Sequence, residues 1–140
     1  MKAALLLVCF VCAASLTFAQ GLYSVHSPNG VDVWAVGRSG NIFHSYDGGV
    51  TWASDGQGTY HLRGVFSFGS SVWIVGDNGT CLTSTNSGVN WTTQQIGGAN
   101  ALRAVTFMSA TTGWVVGQNG IIFKTINGGA AWVQQASAAS

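Results

Sequence analysis

The stretch Ser45-Tyr46-Asp47-Gly48-Gly49-Val50-Thr51-Trp52 returns twice, as Ser84-Thr85-Asn86-Ser87-Gly88-Val89-Asn90-Trp91 and as Thr125-Ile126-Asn127-Gly128-Gly129-Ala130-Ala131-Trp132. Each copy places a hydroxyl residue, Asp or Asn two positions on, Gly two further and Trp three beyond that. This is the chemistry of a corner. A short side-chain acceptor can bond N–H groups of its own turn, Gly permits a left-handed bend, and Trp anchors the hairpin from beneath. Asp47 keeps a carboxylate, whereas Asn86 and Asn127 carry amides that still accept. A calcium site needs several converging carboxylates, so the motifs read as structural turns. Their defining residues are Ser45, Asp47, Gly49 and Trp52; Ser84, Asn86, Gly88 and Trp91; and Thr125, Asn127, Gly129 and Trp132.

Outward from these corners the chain is three tandem copies of one unit, at about 22–61, 62–101 and 102–140. Leu22, Leu62 and Leu102 open the copies, and Trp34, Trp73 and Trp114 mark their middles. Gly37, Gly76 and Gly117 follow, then Gly40, Gly79 and Gly120. The repeat absorbs all six tryptophans, which leaves none over for an aromatic binding platform. Within a copy four strands are expected, illustrated by the third: Leu102 to Phe107, Gly113 to Val116, Ile121 to Lys124 and Ala131 to Gln134. They are rich in β-branched and aromatic residues. Gly117-Gln118-Asn119-Gly120 is a turn whose glycines and Asn-Gly pair tolerate positive φ. The expected fold class is all-β, with three four-stranded antiparallel β-propeller blades.

Composition excludes several function classes. The 140 residues include only 6% charged residues, far below the roughly 25% usual for soluble domains, and the net charge is +1. No basic surface for nucleic acid or acidic lipid is available. Residues 1–19 have the pattern of a secretory signal peptide: Lys2, an apolar run through Ala14 that holds Cys9 and Cys12, and a small residue, Ala19, before Gln20. The mature chain, 20–140, is expected in a secreted, extracellular or periplasmic setting, with no membrane attachment after cleavage. There, Asn78-Gly79-Thr80 and Asn90-Trp91-Thr92 are glycosylation sequons in a eukaryotic host.

The spacing Ser45-x-Asp47-x-Gly49-x-x-Trp52 resembles the Asp-box of bacterial-neuraminidase-type propellers. The longer pattern of Leu102-Arg103-Ala104-Val105-Thr106-Phe107, Gly113 to Gly117, Gly120 to Thr125 and Asn127 to Trp132 is similar to the repeat of photosystem II assembly and stability factor-like propellers. That family also occurs as secreted proteins outside photosynthetic organisms. The resemblance covers Leu22 to about Gln135 and implies a binding or assembly module. Family members usually carry about seven blades, and four to eight are typical of a closed ring, whereas three are visible here. Two open end faces would expose roughly 500 Å² of apolar surface each, worth on the order of 10 kcal/mol. The expectation is either homo-oligomers that complete the ring or a piece of a longer propeller.

Catalysis is weakly supported. The sialidase resemblance implies an arginine triad, a tyrosine, a glutamate and an acid, but the chain has no Glu; its acids are Asp32, Asp47, Asp55 and Asp77. Arg38 lies in a turn, and Arg63 and Arg103 are repeat equivalents. No catalytic residue, metal site or cofactor is therefore expected. Cys81 falls on an apolar strand position and reads as a buried thiol, and His26, His44 and His61 show no metal spacing. Tyr23, Arg63 and Arg103 share one repeat position near the start of the innermost strand. They are the candidate binding residues, placed to ring a channel mouth, unless the arginines are absorbed by Asp55 or Asp77. The leading functional expectation is a non-enzymatic protein-binding or assembly module. A glycan-binding lectin and a degenerate or truncated sialidase-type propeller are the alternatives.

Overall fold

The computed structural model describes residues 21–137. The expected signal peptide, with Cys9 and Cys12, lies outside the described residues. The chain forms three four-stranded antiparallel sheets, each a meander from one edge to the other. The first blade contains β1 (Leu22–His26), β2 (Val33–Gly37), β3 (Ile42–Ser45) and β4 (Ala53–Ser54). The second contains β5 (Leu62–Phe68), β6 (Ser71–Gly76), β7 (Thr80–Ser84) and β8 (Thr92–Gln95). The third contains β9 (Leu102–Phe107), β10 (Gly113–Gly117), β11 (Ile122–Thr125) and β12 (Val133–Gln135). The strands opening the blades lie side by side, β5 between β1 and β9, which makes them the inner strands.

The last strands start later than the sequence suggests. Trp132 precedes β12 because its turn extends through the indole rather than ending before it. The glycines between second and third strands serve two different ends. Gly40, Gly79 and Gly120 have positive φ, as do Ser39, Asn78 and Asn119 beside them. Gly117 is extended instead, with φ −159°. Gly37, Gly76 and Gly117 are needed for space: a Cβ there would collide with the carbonyl oxygen of Gly21, His61 or Ala101, where the chain enters the blade.

The core lies between blades. One buried cluster joins Trp34, Val36 and Ile42 of the first blade to Leu62, Val65, Val72, Ile74 and Leu82 of the second, with Trp91 packed against it. The other joins Val75 and Cys81 of the second blade to Leu102, Val115, Ile121 and Phe123 of the third. The second blade thus buries a face against each neighbour, whereas the first and third blades each have a neighbour on one face. Cys81 is a free, fully buried thiol, and burial pushes its pKa up to about 12.

Candidate functional site

Each corner motif closes around its hydroxyl residue. In the first, the Gly49 N–H donates to Ser45 Oγ at 2.8 Å, Ser45 Oγ donates to Asp47 Oδ1 at 2.7 Å, and the Thr51 N–H donates to the same Oδ1 at 2.8 Å. Ser84 with Asn86 and Thr125 with Asn127 repeat this pattern, receiving Gly88, Asn90, Gly129 and Ala131 N–H groups. Asp47 has one further bond: Thr51 Oγ1 donates to its Oδ2 at 2.6 Å. That bond leads the causes that lower its pKa to about 2. Where Asn replaces Asp, the Thr51 position is Asn90 or Ala131, so the second carboxylate oxygen and its hydroxyl donor are absent together. The indoles differ: Trp52 donates to the Gly49 carbonyl, Trp91 to Asp55 Oδ2, and Trp132 Nε1 is buried without a partner.

Tyr23, Arg63 and Arg103 have a common local cause. In β1, Leu22 pairs with Gly37 and Ser24 with Val36, which leaves Tyr23 as the extra residue of a bulge. Arg63 is skipped in the same way between Leu62–Gly76 and Gly64–Val75, and Arg103 between Leu102–Gly117 and Ala104–Val116. A bulge re-aims its side chain out of the strand's alternation, a device common beside functional sites. Here it forms where the space-limited glycine of the second strand meets the entering chain.

Tyr23 and Arg63 are in contact, and Arg103 is near enough for its charge to act on the carboxylate that Arg63 binds. The Arg63 guanidinium lies 4.8 Å from the Tyr23 ring centroid, and the Tyr23 ring meets His61 edge-on at 6.1 Å. Arg63 also forms a fork with Asp77, Nε to Oδ1 at 2.9 Å and Nη2 to Oδ2 at 2.8 Å. These bonds lead the causes that hold the Asp77 carboxyl below its usual range; the charges of His61 and Arg103 add to them. Arg103 is exposed and has no ion pair with a carboxylate among the described residues. Asp77 stands at the repeat position of Arg38 and Gln118, whose backbone N–H groups bond the entering chain as its own does. Arg38 on the first blade thus holds the backbone position that Asp77 holds on the second. Asp55 takes no part, being bonded to Trp91 and Gln57.

Residues 62–126 match the family model described as photosynthesis system II assembly factor YCF48. The match covers the second blade and most of the third, just under half of the chain. Among solved structures, this chain is similar to YCF48 bound to D1 peptide, with a TM-score of 0.78 and 21% identity over 89% of this chain and 42% of that one. It is also similar to YCF48 from Cyanidioschyzon merolae, with a TM-score of 0.73 and 26% identity over 85% of this chain and 38% of that one. The chain thus spans about two fifths of the length of these proteins. No curated protein matches it.

Sequence reasoning missed the bulge and the equivalence of Arg38 with Asp77, for which Gly37-Arg38, Gly76-Asp77 and Gly117-Gln118 were a usable signal. It named Asp55 and Asp77 as acids that could take an arginine, and Asp77 takes Arg63. It also missed a cleft of about 490 Å³ between the first and second blades, lined by Gln57, Thr59, Tyr60, Asn78, Thr93 and Gln95 among others.

Proposed function

We propose that the chain is an exported, non-enzymatic binding module whose arginine rim receives a carboxylate-bearing segment of a protein partner. The observation that carries this reading is the bulge repeated at Tyr23, Arg63 and Arg103 on three adjacent inner strands. Asp77 and Tyr23 hold Arg63, while Arg103 is left to act on a ligand. A guanidinium presents paired donors matched to a carboxylate. The likeness to a propeller solved with a peptide supports a peptide as the partner class. Export rests on the pattern of residues 1–19. A non-catalytic role is supported by the engagement of all four acids: Asp32 accepts from Asn29, Asp47 from its turn, Asp55 from Trp91 and Asp77 from Arg63.

The test is binding of a peptide panel with free C-terminal carboxylates, each paired with its amide. Free acids should bind more tightly, and Arg103→Ala should weaken them by about tenfold or more, the scale of a charged hydrogen bond. Equal binding of acids and amides, or unchanged binding by a folded Arg63→Ala/Arg103→Ala variant, rejects the reading. A second reading, glycan binding, is favoured by the uncharged amide and hydroxyl lining of the cleft beside exposed Tyr60. A glycan array on the folded protein tests it, and turnover on a sialoside panel would revive the hydrolase alternative.

A further inference from the structure

The two joints between blades are built alike. In each, the leucine opening the downstream blade is fully buried against the upstream one: Leu62 against Trp34, Val36 and Ile42, and Leu102 against Val75 and Cys81. In each, the middle tryptophan of the upstream blade lies on the downstream corner motif. A Cβ on Gly88 would sit 2.7 Å from the Trp34 ring, and one on Gly129 would sit 3.3 Å from Trp73 Nε1. Trp73 also donates to the Gly128 carbonyl at 2.7 Å.

At the two ends each half of this joint stands without the other. On the first blade Leu22 is 54% exposed, where Leu62 and Leu102 are at 0%. Gly49 has only its own Trp52 within contact of a Cβ, where Gly88 and Gly129 also meet the tryptophan of the preceding blade. On the third blade Val116 is 41% exposed, where Val36 and Val75 are at 0%, and Trp114 is half-buried, where Trp34 and Trp73 are buried. Lys124 lies over Trp114 at 5.5 Å, in the strand position from which His44 stacks on Trp34, so it covers the indole from within its own blade. The first blade therefore presents the downstream half of a joint and the third the upstream half. These halves complement each other, and neither complements itself.

We propose that two copies of this chain dock head to tail, the first blade of each against the third blade of the other. Leu22 enters the surface formed by Val116 and Ile122 of the partner subunit, and Trp114 lies on the partner's Gly49. The argument is continuity with an interface the chain already forms twice. Two copies give six blades, within the four to eight of closed propellers, and leave no end face uncovered. A head-to-tail contact that did not close would instead produce filaments. The pairing is independent of what the arginine rim binds.

Native mass spectrometry and light scattering on the expressed chain test this across a dilution series. The expected species has twice the mass that the same chain shows when denatured. A folded monomer throughout the micromolar range overturns the docking, and an open-ended series of masses overturns the closed pair. Leu22→Asp and Val116→Asp alter residues that are exposed in the single chain. Each should raise the dissociation constant at least about thirtyfold, the loss expected at a central interface residue, with unchanged circular dichroism. Mixing the two variants leaves one joint intact, so a pair should form in the mixture and in neither variant alone. Dimers that persist in both separate variants would place the contact elsewhere and overturn the proposal.

Discussion

Leu22 and Leu62 occupy the same place in the repeat, yet one keeps 54% of its surface and the other none. The contrast extends across the whole blades. From Val72 to Gly76 every residue of the middle blade is buried, whereas Trp114, Val116 and Gly117 of the third blade retain exposure. Burial here belongs to the joint and not to the residue type, as expected of repeat proteins whose units are stabilised chiefly by their neighbours. The same side chain is structural where a blade precedes it and available for contact where none does.

The largest effect that would break this comparison comes from truncating both leucines. Leu62→Ala should cost about 2–5 kcal/mol in urea denaturation, the range for deleting a buried leucine. Leu22→Ala should stay within about 0.5 kcal/mol in solutions dilute enough to hold single chains. Similar losses at the two sites would mean that Leu22 is covered. The corner glycines offer a finer test. Gly49 and Gly88 have φ of 92° and 81°, so Ala at either site costs about 1–2 kcal/mol in left-handed strain. At Gly88 the Trp34 ring adds about 1–3 kcal/mol of overpacking, and that excess is what the melting curves should reveal.

Smaller effects follow from protonation. Burial lowers the pKa of both His26 and His44 from 6.5, opposed at His44 by Asp32. The fold thus prefers neutral imidazoles. Their contribution is complete above pH 6.5 and declines as pH falls below it, because the unfolded chain then takes up protons the folded chain resists. His26 accepts the Ser67 N–H at 3.1 Å across the first joint, so tryptophan fluorescence of that joint should respond to acid before that of the second. The smallest effect is at Asp47. Its pKa, lowered from 3.8 to about 2, stabilises the turn at neutral pH, and this is lost as pH falls through that interval. Asp47→Asn should remove this acid dependence and slightly lower stability at neutral pH, because the amide nitrogen that replaces Oδ2 cannot accept from Thr51 Oγ1.

The three blades and their strand order were legible in the sequence because hydroxyl, amide, glycine and tryptophan recur at fixed spacing, and repeated errors of reading would have had to coincide. The candidate rim was legible only as an alignment of Tyr23, Arg63 and Arg103. Their aim depends on a bulge, and the bulge depends on a backbone crossing at Gly37, Gly76 and Gly117 that local spacing does not encode. Positive φ was the obvious explanation of those glycines and holds instead for Gly40, Gly79 and Gly120. Two of the acids pair equally far from local spacing, Asp77 with Arg63 from 14 residues away and Asp55 with Trp91 from 36, whereas Asp32 and Asp47 pair within their own turns.

The buried thiol of Cys81 gives the second joint a chemical clock. With its surface fully covered and its pKa raised to about 12, it is nearly inert while Leu102 and Val115 close over it. Alkylation at Cys81, followed by peptide mass spectrometry, would therefore proceed at the rate at which the second and third blades part. A single native residue would then report how often the arc opens, with no substitution made in the chain.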